Sequence, residues 1–367
     1  MPQRLLAALR RGRLFGSVRK AALLLLVNGI AISVLFASAE FAVRLHQAGF
    51  AGALRGFGDS LQTPYSGLGT GRWVIFDEEL GYRLNPASRD VNEFSIRHGE
   101  VTLPKPESTF RILVLADSLG FNNGFVEPTQ ALLEAGNDRI EVINAAVPGY
   151  TSYQEALFFE KHVSKVEPDL VLWSYCANDN HRFLHRFDPI GHMLWTDEAR
   201  ASLEIDSRWD QFVSRSLILS RVRVALVGQA QRRYESDFPW EDLIDFNSAW
   251  KDHSWRQYEE DLERVLEVSE RIGARLSIIV FPFEPQLLAA ADPATHDYVV
   301  KPQRKVAELC QRHSVPCLDL YPILRPLYDR GDRFYVDGVH MNETGNALAA
   351  RSIEAFLDAE NLLGKLP

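Results

Sequence analysis

The main part of the chain alternates between short apolar runs and longer segments with helical periodicity. The apolar runs are rich in Val, Ile and Leu and four to eight residues long, which is typical of strands buried on both faces. We predict strands at residues 110–115, 140–144, 169–175, 274–281 and 317–320. We predict helices at residues 128–135, 152–166, 257–271, 297–312 and 345–357. Strands that alternate with helices indicate an α/β fold with a parallel sheet covered on both faces.

Two segments interrupt this alternation. Residues 181–250 combine aromatic with charged side chains and are too long for a plain connection, so we expect a helical insertion over the mouth of the site. Such an insertion either binds substrate or is a structural elaboration. Residues 40–108 are rich in glycine, proline and polar side chains, and we interpret them as a linker and lead-in. Within them, residues 49–71 indicate a flexible linker, and 73–76 and 94–96 indicate short strands.

The N-terminus pairs a basic leader with an apolar run. Residues 1–20 contain six basic and no acidic side chains, and residues 21–39 are free of charge. Nineteen largely apolar residues suffice to cross a hydrocarbon core of about 30 Å as a helix. The basic flank is expected to stay in the cytoplasm, so everything after Ala39 is exported. We therefore predict a single-pass protein of the cell membrane with its catalytic domain outside the cytoplasm, periplasmic in a Gram-negative cell.

A cleaved signal peptide is the alternative for the same segment. Ala37-Ser38-Ala39 is a small-residue cleavage site directly before Glu40. Cleavage there gives a secreted protein. The long apolar run and the long basic leader favour the uncleaved anchor.

Charge, composition and local motifs exclude several classes of function. The net charge is −9 although the leader is basic, and no basic face suggests nucleic-acid binding. Gly-x-Gly-x-x-Gly, Walker-type and Cys-x-x-Cys motifs do not occur. Three cysteines are too few for a disulfide framework. Cys310 and Cys317 either form a bridge or are small packing residues, and Cys176 is interpreted as a packing residue.

A group of histidines follows the third predicted strand. His181, His185, Asp188 and His192 lie close together in sequence, and such side chains are suitable zinc ligands. A polar, solvated loop explains the same residues more simply. We expect neither a metal nor a cofactor.

The candidate chemistry lies where predicted strands end. Ser118 follows the first strand, Gly149 the second and Asn178 the third, at the edge of a parallel sheet where ligands bind. Much later, Asp337 and His340 stand three residues apart. A serine hydroxyl needs a base to take its proton, and the base needs an acid that orients it. Backbone amides and an Asn side chain stabilise a developing oxyanion.

These blocks resemble the SGNH/GDSL hydrolase superfamily over roughly residues 109–360. The resemblance implies a three-layer α/β/α, flavodoxin-like fold with a five-stranded parallel sheet. It also implies that Ser118 is the nucleophile, His340 the base and Asp337 its orienting acid. The Ser118 and Gly149 amides and the Asn178 side chain would form the oxyanion hole.

The sequence departs from the superfamily pattern at two positions. Ala116 replaces the first glycine of the Gly-Asp-Ser motif, and Cys176 replaces the glycine of Gly-x-Asn-Asp. Neither position supplies a reacting group. The segment also half-matches the nucleophile elbow of α/β-hydrolases, but that fold expects several strands before the serine and an acid distant from the histidine.

The resemblance implies an exported serine hydrolase that cleaves carboxylic esters, with O-acetyl groups on envelope glycans as one substrate class. An O-acyltransferase that uses the same triad on polysaccharide is one alternative. A non-catalytic, polysaccharide-binding relative is another. The expected partners are a small-molecule or glycan ester and the membrane.

Overall fold

A computed structural model gives the structure of the protein. The residues that it describes are 20, 22–45, 50, 65–69, 74–97, 99–121, 124–183, 186–187, 192–194, 216, 218–219, 222, 238–241, 243–290 and 292–364.

The described elements follow the predicted alternation. The strands are β1 Tyr65–Gly69, β2 Val74–Asp77, β3 Gly81–Leu84, β4 Phe110–Leu115, β5 Ile140–Asn144, β6 Leu170–Tyr175, β7 Arg186–Phe187, β8 His192–Leu194, β9 Arg275–Val280 and β10 Cys317–Asp319. The α-helices are Ala22–Leu45, Val126–Gly136, Ser152–Lys161, Ile244–Asn247, Trp255–Ile272, Glu284–Leu288, Pro293–Val299, Lys301–His313, Tyr321–Asp329 and Glu343–Ala359. Short 3-10 helices lie at Val163–Val166, Ala177–Asp179, Pro239–Glu241, Ser248–Trp250 and Asp252–Ser254.

The central element is a five-stranded sheet in the order β10-β9-β6-β4-β5, with every neighbouring pair parallel. Strand β4 lies in the interior of this sheet, and all six of its residues are buried. Its side chains alternate between faces, so Leu113 and Leu115 join one core while Ile112 and Val114 join the other. The structure therefore confirms the predicted α/β fold, with a parallel sheet between two helical layers.

Each face of the sheet carries a pair of helices that pack against each other. Ser152–Lys161 packs against Trp255–Ile272, and Val126–Gly136 packs against Glu343–Ala359. The helix Trp255–Ile272 is strongly amphipathic and turns Tyr258, Leu262 and Val265 to the core at helical spacing. This spacing is why the periodicity predicts the helix nearly to its ends.

Several element boundaries differ from the predictions. The single helix predicted at 297–312 is two helices, because Pro302 has no amide hydrogen for an interior helical bond and sits in the first turn of Lys301–His313. The predicted helix 152–166 ends at Lys161, and a 3-10 turn completes it.

The lead-in also differs from its prediction. Residues 94–96 form a turn with Ser95 at φ 61°, not a strand. The strand predicted at 73–76 is present as β2, and its antiparallel partner is β3, which the sequence analysis did not predict. Part of the predicted flexible linker is strand β1, which pairs with β8. The rest of that linker lies outside the described residues, except Phe50.

The segment predicted to be a helical insertion is described only in part. Its described pieces include the strands β7 and β8 as well as short helices, so the predicted helical insertion is only partly helical where it is described. The Trp195 and Trp209 region lies outside the described residues.

The N-terminal helix Ala22–Leu45 is long and apolar enough to cross a membrane. It is a candidate anchor, and a signal sequence has the same length and composition. Its C-terminal end carries a buried ion pair, in which Arg44 Nη2 lies 2.8 Å from Glu40 Oε1. Glu40 Oε2 also accepts hydrogen bonds from Ser216 Oγ at 2.9 Å and from the Ile218 N–H at 3.1 Å.

Candidate active site

Ser118 stands in the tight turn that follows strand β4. The Leu119 N–H donates to Asp117 Oδ1 over 2.8 Å, which draws the chain around Ser118. The Phe121 N–H donates to the Ser118 carbonyl over 3.3 Å and closes the turn. The hydroxyl is thereby presented at the carboxyl end of a parallel strand, the edge of the sheet where ligands bind.

The two departures from the superfamily pattern are accommodated without backbone strain. Ala116 is fully buried and is not among the described residues with a left-handed backbone. Cys176 has φ −132° and ψ 163°, which is extended backbone that any residue adopts. The glycines that these residues replace are therefore dispensable for the local conformation.

Asp337 and His340 lie on one short turn. The Val336 N–H donates to the His340 carbonyl over 2.8 Å, and Asp337 Oδ1 accepts the His340 N–H over 2.9 Å. Gly338 has φ 90°, a left-handed conformation that a residue with a Cβ adopts only with strain. The turn holds the carboxylate and the imidazole side by side.

The fold brings this turn to Ser118 and forms a continuous chain of hydrogen-bond contacts. Asp337 Oδ2 lies 2.8 Å from His340 Nδ1, and His340 Nε2 lies 2.9 Å from Ser118 Oγ. Burial raises the pKa of Asp337, but the hydrogen bonds from the His340 backbone and ring outweigh burial, so the net effect lowers it. An ionised Asp337 accepts the Nδ1 hydrogen and leaves Nε2 as the acceptor that faces the serine.

Asn178 lies beside the serine turn and is held by Asp117. The 3-10 helix Ala177–Asp179 follows strand β6, and Asn178 Nδ2 donates to Asp117 Oδ2 over 2.8 Å. Burial raises the pKa of Asp117, and the Asn178 hydrogen bond opposes the rise. If the Asn178 amide were rotated by 180°, its oxygen would face the Asp117 carboxylate and repel it. The contact therefore fixes which side of the amide carries the nitrogen. An amide nitrogen has two hydrogens, and the bond to Asp117 occupies one of them.

Gly149 lies in a tight turn after strand β5. The Tyr150 N–H donates to the Val147 carbonyl over 3.1 Å, with Pro148 and Gly149 between them. Gly149 has φ 74°. Proline at the second position and a left-handed glycine at the third define a type II turn. Pro148 and Gly149 thus form a turn of the type that a Pro-Gly sequence favours.

The sheet order explains why these segments meet. The chain runs from β4 to its neighbour β5 on one side and then crosses to β6 on the other. The loops at the carboxyl ends of β4 and β6 diverge at such a switch point, which leaves a crevice between them. Ser118 and Asn178 border this crevice.

The sequence comparison agrees with this geometry. A sequence model of the GDSL-like Lipase/Acylhydrolase family matches residues 117–348, which include every segment of the site. The chain belongs to the GDSL-like lipase/acylhydrolase family. It is thus an SGNH-type enzyme that hydrolyses ester bonds. No curated protein matches the chain.

Solved structures of esterases resemble this acylhydrolase at low sequence identity. An acetyl xylan esterase, AlAXEase, shares 14% identity with a TM-score of 0.41, and the match covers 67% of this chain and 98% of that one. A lipase/acylhydrolase from Enterococcus faecalis shares 16% identity with a TM-score of 0.39, over 69% of this chain and 97% of that one. A mutant of an acetylxylan esterase from Geobacillus stearothermophilus shares 13% identity with a TM-score of 0.41, over 69% and 96%.

A cavity of about 1080 Å³ opens beside Ser118 and His340 in this acylhydrolase. Its walls come from the serine turn, the start of helix Val126–Gly136, the His340 turn and the start of the last helix. Half of the lining residues are apolar, and three are carboxylates: Glu127, Asp337 and Glu343. The apolar lining residues are Leu119, Phe121, Pro128, Ala131, Pro148, Val336, Met341 and Ala347.

The histidine group of the sequence analysis does not form a described metal site. His181 Nδ1 lies 3.4 Å from Ser248 Oγ, while His185 and Asp188 lie outside the described residues. Among the described residues, Glu259, Glu263 and His313 are close enough to share an ion. Arg312 contacts Glu259 directly, and its positive charge opposes a bound cation.

Two residues with a direct bearing on the site were missed from the sequence. Asp117 is the middle residue of the Gly-Asp-Ser motif, and the sequence assigned it no role, although it contacts Asn178. Tyr82 was not singled out at all, yet it donates to the Pro148 carbonyl over 2.6 Å. The alternation Leu80-Gly81-Tyr82-Arg83-Leu84 could have indicated a half-buried strand there.

Proposed function

We propose that Ser118 is the nucleophile of this ester hydrolase, with His340 as its general base and Asp337 as the acid that orients the base. The observation that carries the proposal is the unbroken chain of contacts, 2.8 Å from Asp337 Oδ2 to His340 Nδ1 and 2.9 Å from His340 Nε2 to Ser118 Oγ. Heavy-atom distances in this range allow His340 Nε2 to take the Ser118 proton while Asp337 orients the imidazole and stabilises its charged form.

The reaction follows from this arrangement. Ser118 Oγ forms a bond to the acyl carbon of the ester while His340 Nε2 takes the hydroxyl proton. The tetrahedral intermediate collapses, the bond to the alcohol oxygen breaks, and His340 returns the proton to the leaving alcohol. A water molecule then attacks the acyl-enzyme with His340 as base again, which releases the carboxylic acid and restores Ser118.

The oxyanion of the intermediate is proposed to rest on three donors: the Ser118 and Gly149 backbone amides and the Asn178 side chain. The contact of Asn178 with Asp117 supports its part, because the donor is oriented before substrate arrives and no reorganisation is needed in the transition state.

The substrate is proposed to be a carboxylic ester, with O-acetyl groups on envelope glycans as one class. The acyl-enzyme is common to hydrolysis and to acyl transfer. Attack by water gives an esterase, and attack by a sugar hydroxyl gives an O-acyltransferase. The products distinguish the two: the first releases free acid and the second an acylated sugar.

We propose that the N-terminal helix is an uncleaved membrane anchor and that the catalytic domain lies outside the cytoplasm. The described helix continues through Ala39 and Glu40 to Leu45, so the small-residue sequence lies within a helix. Glu40 follows the candidate cleavage site, so its contacts with Ser216 and Ile218 are present in either form, and the proposal rests on the length and apolar character of the helix.

The deciding experiment compares the full chain with Ser118→Ala, both solubilised in detergent. Aryl acetate and acetylated sugar substrates are offered, and a fluorophosphonate probe is followed by intact mass. We expect the parent to hydrolyse esters and to gain one probe mass, while Ser118→Ala does neither and keeps its thermal unfolding temperature. Activity of Ser118→Ala within tenfold of the parent contradicts the assignment of the nucleophile.

A further inference from the structure

The Pro148–Gly149 peptide is the element of the site whose orientation the local sequence leaves open. Type I and type II turns differ mainly by a rotation of about 180° of the peptide between their second and third residues. In this turn that peptide joins Pro148 to Gly149. Glycine at the third position permits the type II form and does not by itself exclude the other form.

Tyr82 holds this turn from outside the catalytic motifs. Its hydroxyl donates to the Pro148 carbonyl over 2.6 Å, and its own carbonyl accepts the Tyr150 hydroxyl over 2.6 Å. The two rings meet edge to face with their centroids 5.2 Å apart. A single residue therefore contacts both neighbours of Gly149.

The hairpin that carries Tyr82 is firmly seated. Leu80, Tyr82 and Leu84 are all at most 2% exposed, and Gln154 Nε2 donates to the Leu80 carbonyl over 2.8 Å. Burial raises the pKa of the Tyr82 and Tyr150 phenols above the ordinary value, so both hydroxyls keep the hydrogens that they donate.

We propose that Tyr82 is a positioning residue for the reaction, which fixes the direction of the Gly149 N–H. In a trans peptide the carbonyl and the N–H point to opposite sides of one plane. The bond from Tyr82 holds the Pro148 carbonyl towards the hairpin, so the Gly149 N–H faces the other way, out of the hairpin. This inference rests on the proposed role of Gly149 as an oxyanion donor.

If Tyr82 positions the Gly149 N–H, the lead-in of residues 40–108 contributes to catalysis. Tyr82 lies before residues 117–348, where the family match is found. The β2–β3 hairpin thus completes the site built by the family motifs. Loss of the Tyr82 hydrogen bond is expected to lower kcat less than loss of an oxyanion donor. The Gly149 N–H would still face the site for part of the time.

The structure offers a matched pair of variants for the test. Tyr82→Phe and Tyr150→Phe each remove one buried hydroxyl that donates over 2.6 Å to a carbonyl, and each keeps its ring. Only Tyr82→Phe releases the Pro148 carbonyl. We expect kcat for an aryl ester to fall about ten- to a hundredfold in Tyr82→Phe, with KM within about twofold, since oxyanion donors act in the transition state.

We expect Tyr150→Phe to keep kcat within about threefold, while both variants lose thermal stability because each leaves a carbonyl without its tyrosine donor. Equal kcat in the two variants, whether both fall or neither does, overturns the proposal. A crystal structure of Tyr82→Phe gives a readout independent of activity. We expect the Pro148–Gly149 peptide to be flipped or present in both orientations, and a peptide unchanged from the parent also overturns the proposal.

Measurements on the parent protein show separately whether the proposed function is wrong. If the parent hydrolyses no ester and takes up no fluorophosphonate, Ser118 is not a working nucleophile. The orientation of the Pro148–Gly149 peptide in Tyr82→Phe still decides whether Tyr82 controls it.

Discussion

Asp117 Oδ2 and Asn178 Nδ2 lie 2.8 Å apart, although the two residues are separated by 61 positions in the chain. Strands β4 and β6 are neighbours in the sheet, with Leu115 opposite Trp173, so the first residues after the two strands lie side by side before the loops diverge. The residue directly before the proposed nucleophile thus orients the proposed oxyanion donor.

Asn178→Ala removes the side-chain donor from the proposed oxyanion hole. We expect kcat to fall about 10²- to 10³-fold with little change in KM, because this donor stabilises the transition state and not the bound substrate. Steady-state kinetics on an aryl ester give both parameters. A rise in KM at constant kcat would instead make Asn178 a substrate-binding residue.

Asn180→Ala is the matched control for that variant. Asn180 is also buried and lies two residues away, but its Oδ1 accepts the Tyr175 hydroxyl over 2.7 Å. We expect it to lose stability and to keep kcat within about threefold, since that bond belongs to the core.

Asp337→Asn tests the orientation of the base. The new side chain can still accept the His340 N–H through its Oδ1, so the turn should survive. Its amide nitrogen would face His340 Nδ1 and favour the tautomer with hydrogen on Nε2, which cannot take the serine proton. We expect kcat to fall about 10⁴-fold with unchanged unfolding temperature, as for other triads. Activity within tenfold of the parent would exclude Asp337 as the orienting acid.

Asp261 is a buried carboxyl group with an incomplete set of donors. Ser152 Oγ lies 2.7 Å from Asp261 Oδ2 and 3.0 Å from the Asp179 carbonyl, and one hydroxyl hydrogen cannot serve both. A protonated Asp261 resolves the conflict, because it donates to Ser152 while Ser152 donates to the carbonyl. Burial raises the pKa of Asp261 to about 7.

This shift predicts a pH dependence of stability. Between the ordinary carboxyl pKa of about 4 and the folded value, the folded state holds a proton that the unfolded state has released. The contribution of Asp261 is therefore present at low pH and is lost as pH rises through this window, by up to about 1.4 kcal/mol per pH unit. Above the folded-state pKa of about 7, the whole stabilising contribution of Asp261 is lost.

Asp261→Asn imitates the protonated group at every pH. We expect its free energy of unfolding to exceed that of the parent at pH 8 and to approach it at pH 5, measured by urea titration at several pH values. Parallel curves for the two proteins across pH 5–8 would show that Asp261 does not hold a proton in the folded state.

Membrane retention tests the anchor. A spanning helix is held by apolar burial, so the full chain should stay with membranes through high salt and alkaline wash. A reporter fused after residue 60 should be active only outside the cytoplasm. N-terminal sequencing gives the contrary outcome directly: a mature chain that begins at Glu40 means cleavage after Ala39.

The sequence by itself determined the order of the core elements and the residues with candidate chemistry. The five strands are apolar runs, and their type follows from local composition. Asp337 and His340 are three residues apart, so their pairing is also a local property. Some predicted helix boundaries were wrong, such as the division of the helix before Pro302. A helix ends where the backbone can no longer form its internal hydrogen bonds, and the periodicity of apolar residues does not show that position.

Only the tertiary structure decided which of these residues meet and what holds them. Ser118 and His340 are 222 positions apart in the chain, and Tyr82 and Pro148 are 66 positions apart. No local pattern encodes such contacts, because they depend on the strand order and on the side chains that the hairpin buries against the sheet. The sequence therefore indicated the candidate reacting groups, while the fold alone showed that Asp117 contacts Asn178 and that Tyr82 contacts Pro148.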